Sequence, residues 1–160
     1  EFKIPLPPGA RNYVTPEGAE RLYSELKDLE SAERPSLAAE ILRLSRDPTN
    51  SDALATARRR LARIDRRIEY LSRMTGLAEV VKRPASGYDR VRFGARVTLR
   101  DGTGSISAFR IVGVDESDPD AGLVGWTAPI ARALMGKAPG QTAVVLLPGG
   151  ESTVTVVSVE

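Results

Sequence analysis

The chain has 160 residues, with 23 Lys and Arg against 21 Asp and Glu, so its formal net charge is only +2 at pH 7. It contains no Cys and no His, which excludes disulfides, zinc sites with Cys or His ligands, and mechanisms that need a His base or a Cys nucleophile. No apolar run approaches the length of a membrane span and no signal-peptide pattern opens the chain, so we expect a cytoplasmic protein.

The first predicted element is a long helix that follows an irregular, proline-rich leader over residues 3–14. Thr15-Pro16-Glu17 predicts the helix start, because Thr is a good N-cap and Pro suits the first helical position. Apolar residues four and three apart follow, and the same spacing returns after a phase shift: Leu22, Leu26, Leu29, then Leu37, Ile41, Leu44. Pro35 lies where the phase shifts, so we expect a kink or an irregular turn there.

A second helix with an unbroken heptad seam is predicted after the turn RDPTNSD, residues 46–52. The seam residues alternate three and four apart: Leu54, Ala57, Leu61, Ile64, Ile68 and Leu71. Gly76 is a plausible end of this helix. Two such helices joined by a short turn predict an antiparallel coiled-coil hairpin, about 45 Å long for roughly 30 residues per arm at a rise of 1.5 Å.

From about Val80 the pattern changes to short β-rich runs separated by turns. The predicted strands are Val91–Phe93, Arg96–Leu99, Phe109–Val112, Leu123–Trp126, Val144–Leu146 and Val154–Val159, with a short helix over Pro129–Leu134. We therefore predict an α+β protein: a coiled-coil hairpin domain over residues 13–79 and an antiparallel β domain with one short helix over residues 88–160. Residues of about 80–87 would form the linker.

An arginine-rich surface lies on the second helix, formed by Arg58, Arg59, Arg60, Arg63, Arg66 and Arg67. It has two interpretations. The first is the solvated face of a coiled coil, paired with nearby acids such as Asp65 and Glu69. The second is a surface that contacts a phosphate backbone or an acidic protein.

The turn between the helices also has two interpretations. Asp47 followed by Pro48 is a good N-cap and first-position pair, and Asp52 would lie at the positive end of the second helix. On a thin finger, the same exposed carboxylates are able to hold Mg²⁺ inside the active site of another protein, because Mg²⁺ prefers oxygen ligands.

A third candidate site is the segment Trp126–Arg132, where a strand end runs into the short helix. If this segment is buried, its apolar residues are part of the core. If it is exposed, Trp126, Pro129 and Ile130 form a docking patch for a partner.

The capped first helix, the hairpin with a charged tip and two C-terminal segments together resemble the Gre family of bacterial transcript-cleavage factors. The segments are FRIVGVDESD at residues 109–118 and APIARALMGK at residues 128–137; RLARIDRR at residues 60–67 is most similar to the GreB branch. The resemblance implies an FKBP-like C-terminal domain without isomerase activity, which docks on the rim of the secondary channel of RNA polymerase. It also implies that the coiled coil enters that channel.

The resemblance assigns roles to all three candidate sites. Trp126, Thr127, Pro129, Ile130 and Arg132 would bind RNA polymerase, although GreB-type members have an acid where Thr127 stands. Arg58, Arg59, Arg60 and Arg63 would contact the RNA 3′ end or the channel wall. The protein itself would be a monomer without catalytic activity of its own.

At the tip, the sequence departs from the family. Active members carry Gly, then an Asp and a Glu three residues apart, which position the second catalytic Mg²⁺ of the polymerase. Here Arg46 replaces the Gly, Asp47 matches the Asp, and Asn50 replaces the Glu, with Asp52 as a slipped substitute. We therefore expect a factor that occupies the channel without efficient cleavage, with at most a transient Mg²⁺ on Asp47 and Asp52.

Two alternatives stay open from the sequence. The first is an active cleavage factor that rescues backtracked polymerase through Asp47, Asp52 and Mg²⁺. The second is a coiled-coil adaptor for another protein or for nucleic acid.

Overall fold

The computed structural model describes residues 4–160, which divide into two compact units. One unit is Ala19–Leu77, and the other combines the described residues up to Gly18 with Ala78–Glu160. The predicted fold class is confirmed: an N-terminal helical hairpin is followed by a β domain with one short helix. Among the described residues, no helix has both the length and the apolar character that crossing a membrane would require.

The helical elements of the hairpin are α1 (Pro16–Asp28), a π-helical segment (Leu29–Glu33), α2 (Arg34–Leu44), a 3-10 turn (Pro48–Asn50) and α3 (Ser51–Gly76). The predicted helix start is confirmed, because Thr15 Oγ1 accepts a hydrogen bond of 3.1 Å from the backbone N–H of Gly18. The predicted end of the second helix at Gly76 is also confirmed.

The predicted irregularity near Pro35 is confirmed as a π-helical segment that ends two residues before it, at Glu33. Proline has no N–H for the usual α-helical bond, and the N–H of Arg34 donates to the carbonyl oxygen of Leu29, five residues earlier. Leu29 and Leu37 are eight residues apart rather than the seven of a heptad. The π turn absorbs the extra residue, so that both leucines are buried.

The hairpin is held by the predicted apolar seam and by ion pairs at its margin. The most buried seam residues are Leu22, Leu29, Leu37, Ala57, Ile64 and Leu71. Arg67 pairs with Glu25 across the two arms at 2.7 Å, and Arg34 pairs with Asp65 at 2.7 Å. These ion pairs are half-exposed, so the buried seam contributes most of the stability of the hairpin.

The β unit contains a two-stranded and a five-stranded sheet. In the first, β1 (Asn12–Val14) pairs in parallel with β2 (Ala78–Val80). The second has the order β5-β4-β3-β7-β6, with β3 at Arg96–Arg100, β4 at Ile106–Val112, β5 at Leu123–Gly125, β6 at Thr142–Leu147 and β7 at Gly150–Val159. Its inner face and α4 (Pro129–Leu134) form the core, whose buried residues are Val91, Val97, Leu99, Phe109, Ile111, Ala131, Leu134, Val145, Val154 and Val156.

Three details of the β unit differ from the prediction. The large sheet is mixed rather than purely antiparallel, because β5 pairs in parallel with β4. Val91–Phe93 is a loop rather than a strand, although Val91 is buried and exchanges backbone hydrogen bonds with residues 136 and 137. The leader, predicted to be irregular, contains β1.

Candidate functional site

The tip of the hairpin is organised around the side chain of Asp47. Its Oδ1 accepts hydrogen bonds from the backbone N–H of Thr49 at 2.9 Å and from Thr49 Oγ1 at 2.8 Å. These bonds lower the pKa of Asp47 below its ordinary value, the backbone bond contributing most. Asp47 is the N-cap of the 3-10 turn that leads into α3, with Pro48 in the first position. Asp47, predicted to cap the second helix, thus caps the 3-10 turn before it, and the N-cap of α3 itself is Asn50, without a side-chain hydrogen bond.

The other polar residues of the tip do not complete a set of metal ligands. Asn50 is half-buried, and its backbone N–H donates to the carbonyl oxygen of Asp47 at 3.0 Å. Asp52 is exposed in the first turn of α3, beyond the 3-10 turn. In the part of the chain that the structure describes, no three His, Cys, Asp or Glu side chains form a group able to hold a metal ion. The tip alone therefore does not fit a resident Mg²⁺ site.

The arginine-rich surface divides into paired and unpaired side chains. Arg67 forms the ion pair with Glu25, as expected for the margin of a coiled coil. Arg58, Arg60 and Arg63 form no ion pair with any residue from 4 to 160, and Arg59 only donates to Thr56 Oγ1 at 3.1 Å. All four are exposed on α3. They form an exposed, positively charged surface without ion pairs among the described residues.

The segment Trp126–Arg132 is partly buried and partly exposed. Trp126 is half-buried, and its ring packs edge-on against Tyr13 at a centroid distance of 5.3 Å. Thr127 is only 5% exposed, and its hydroxyl donates to the carbonyl oxygen of Ile4 at 3.0 Å. These two residues therefore serve mainly as the packed base of the segment.

The exposed part of this segment lies at the start of α4. Pro129, in the first position of the helix, and Arg132, one turn later, are exposed, and Ile130 between them is half-buried. Ala131 and Leu134 face the core and hold α4 in place. The segment thus presents a small surface of one proline, one isoleucine and one arginine on a fixed helix.

Comparison with known proteins identifies the family. Residues 12–80 match the profile of the N-terminal domain of transcription elongation factors, and residues 85–160 match that of the GreA/GreB C-terminal domain. GreB of Xanthomonas axonopodis pv. citri is 38% identical over 150 residues, which cover 92% of this chain and 89% of GreB. GreA of Anaeromyxobacter sp. strain K is 38% identical over 149 residues, covering 91% and 90% of the two chains.

The chain belongs to the GreA/GreB family of transcription elongation factors. Membership of this family implies RNA polymerase as the partner. Among solved structures, GreA factor homolog 1 (Gfh1) of Thermus thermophilus aligns with 94% of this chain and 99% of its own at 24% identity, with a TM-score of 0.43.

One feature of this Gre-family chain was not predicted from its sequence: the carboxylate of Glu116 caps the start of the first helix. Glu116 is buried, and its carboxylate accepts hydrogen bonds from the backbone N–H of Thr15 at 3.1 Å, from the Thr15 hydroxyl, and from the backbone N–H of Gly113 at 2.8 Å. In an ordinary capping box, a Glu at the third helical position accepts from the N-cap N–H. Here that position is Gly18, and Glu116 supplies the carboxylate instead. The glycine at position 18, where Glu is favoured, is the one sequence signal of this arrangement.

Proposed function

We propose that this protein binds bacterial RNA polymerase in the cytoplasm as a monomer and inserts its hairpin into the secondary channel. It regulates transcription by occupying the channel and does not stimulate transcript cleavage efficiently. It has no catalytic activity of its own, and any Mg²⁺ at its tip is shared transiently with the polymerase.

The observation that carries the proposal is the chemistry of the tip. Asp47 Oδ1 already accepts two hydrogen bonds from Thr49, and the position three residues after Asp47 is the neutral Asn50. Two carboxylates would bring two negative charges to a hard cation, whereas an Asp and an Asn bring one. Every seam residue of the second helix in the hairpin that carries this tip is buried or half-buried. A hairpin with an intact seam but with Asn50 in place of the second carboxylate favours occupation of the channel over stimulation of cleavage.

The arginine-rich surface supports insertion beside nucleic acid. Arg58, Arg59, Arg60 and Arg63 are exposed and have no carboxylate partner in the described chain. Because phosphate groups and acidic channel walls attract unpaired guanidinium groups, these residues would contact the RNA 3′ end or the wall. Arg67, which is paired with Glu25, is the matched control: Arg63→Ala should weaken polymerase binding more than Arg67→Ala does.

The segment at the start of α4 would dock on the rim of the channel. Pro129 and Arg132 are exposed, and Ile130 offers a half-buried apolar surface between them. Trp126 and Thr127 would support this surface from below, since both pack against the N-terminal residues. Arg132→Glu should therefore weaken binding without unfolding the domain.

The decisive experiment measures RNA cleavage in stalled, backtracked elongation complexes with Mg²⁺, alongside binding to the same polymerase. We expect binding without accelerated cleavage. Asn50→Glu, which restores the second carboxylate, should raise the cleavage rate, and Asn50→Gln is its uncharged control. If the wild type binds and accelerates cleavage, and Asp47→Ala abolishes that acceleration, the proposal of occupancy without cleavage is wrong.

One observation favours the alternative of an active cleavage factor. Asp47 and Asp52 are both exposed, so both carboxylates are accessible to a cation. In that case, both Asp47→Ala and Asp52→Ala would abolish Mg²⁺-dependent cleavage and leave polymerase binding intact. A wild-type protein that fails to bind polymerase even at low salt would instead indicate an adaptor for another partner.

A further inference from the structure

The N-terminal segment Ile4–Val14 contacts the segment proposed to dock on the polymerase. The Thr127 hydroxyl donates to the carbonyl oxygen of Ile4 across 123 positions of sequence. Tyr13 packs between two aromatic side chains, with its ring 5.3 Å from Trp126 and 6.2 Å from Phe93. Two separate points of the N-terminal segment therefore contact Trp126 and Thr127, which lie just before the N-cap of α4.

These contacts fix Trp126 and Thr127, which the short helix α4 cannot hold in place by itself. Ala128 is the N-cap of α4, and its side chain makes no capping hydrogen bond. Among the backbone groups, the N–H of Trp126 donates to the carbonyl oxygen of Val112 and that of Ala128 to the carbonyl oxygen of Gly125. The side chain of Trp126 packs against Tyr13, and that of Thr127 is held by the carbonyl oxygen of Ile4. Because α4 has only six residues, its own hydrogen bonds supply little rigidity.

We propose that Ile4–Val14 is a positioning element for the polymerase-docking segment, and that Thr127 and Tyr13 act as positioning residues. Thr127 is only 5% exposed, so it offers almost no surface of its own for docking. The Thr127 hydroxyl holds Ile4–Val14 against the buried base of Trp126–Arg132. The exposed residues Pro129 and Arg132 belong to that same docking segment. This inference rests on the proposed function for its effect on binding, but its effect on the free protein is independent of that function.

The test uses three variants of the full chain. Thr127→Val removes the hydroxyl while it keeps the shape of the side chain, and Thr127→Ser restores the hydroxyl. Thr153→Val is the matched control, because it removes an exposed threonine hydroxyl from β7 in the same unit. A neutral hydrogen bond is worth about 0.5–1.5 kcal/mol, so we expect its loss to weaken polymerase binding by roughly 2- to 12-fold. Thr127→Ser and Thr153→Val should bind as the wild type does.

Amide hydrogen exchange of the free protein provides the second readout. In Thr127→Val, the amides of residues 126–132 should exchange faster by a similar factor, while those of β3 and β7 keep their rates. Tyr13→Ala should have the same effect through loss of the ring contact, and Tyr13→Phe should not.

The two readouts separate the two proposals. Unchanged exchange of residues 126–132 in both Thr127→Val and Tyr13→Ala overturns the positioning role, whatever the polymerase result. Faster exchange with wild-type polymerase affinity also overturns it, because the segment would then dock without being held. A wild-type chain that does not bind polymerase overturns the proposed function, and the exchange data still decide whether the N-terminal segment holds residues 126–132.

Discussion

The substitution Gly18→Ala gives a sharp test of the cap that Glu116 supplies to α1. In an ordinary helix, replacement of Gly by Ala stabilises by about 0.5–1 kcal/mol. Here a Cβ on Gly18 would lie 2.7 Å from Cγ of Glu116 and still closer to Cδ and Oε1. Gly18→Ala should therefore destabilise the protein, although Gly→Ala usually stabilises a helix.

The magnitude follows from the hydrogen bonds that Glu116 would lose. To make room, its carboxylate has to leave the backbone N–H groups of Thr15 and Gly113, both of which are buried. An unsatisfied buried donor costs about 1–3 kcal/mol, so the loss of both costs roughly 2–6 kcal/mol. This exceeds the helix gain of about 0.5–1 kcal/mol, and we expect Gly18→Ala to lower the free energy of unfolding by about 1–5.5 kcal/mol.

A double-mutant cycle isolates the contact. Glu116→Ala removes the atoms that the new Cβ would meet, so in that background Gly18→Ala should stabilise by about 0.5–1 kcal/mol. Urea unfolding followed by the fluorescence of Trp126, the one tryptophan of the chain, reports on the unit that contains both residues. Equal effects of Gly18→Ala in the two backgrounds would refute the reasoning.

Further predictions concern the hairpin. Leu37→Ala, at a buried seam position, should cost about 2–5 kcal/mol in urea unfolding followed by circular dichroism, whereas Leu42→Ala, 61% exposed, should change stability by less than about 0.5 kcal/mol. Thr49→Val should raise the pKa of Asp47 in an NMR titration. Because this pKa is lowered in the folded tip, the stabilisation by Asp47 is present above the ordinary value of 3.8 and is lost as the pH falls through the folded value. Arg63→Glu should leave the melting temperature nearly unchanged, since Arg63 has no ion-pair partner between residues 4 and 160.

The hairpin was predictable because its determinants are local and periodic. The three-four spacing from Leu54 to Leu71 specifies both the helix and its buried side. The eight-residue step from Leu29 to Leu37 beside Pro35 indicated where the first arm becomes irregular. The capping role of Asp47 also needed only its neighbours along the chain.

The missed features all depend on residues distant in sequence. The pairing of β1 with β2 joins two strands of three residues, too short to show a periodic pattern. The burial of Thr127 depends on a backbone carbonyl of Ile4, which no side-chain pattern reports. Val91–Phe93 has β-forming residues, yet Val91 is buried against a loop instead of a sheet neighbour.

The position of Glu116 in the chain also has a consequence for biosynthesis. Its carboxylate accepts from Thr15, 101 residues earlier, so the ribosome completes all of Ala19–Leu77 before the acceptor for the first helical turn exists. The hairpin can form along its seam as soon as it leaves the exit tunnel, but the backbone N–H of Thr15 has no carboxylate acceptor until the chain has been translated through Glu116. A segment translated later thus completes the cap of a helix translated earlier, and a chain terminated before Glu116 would lack this cap.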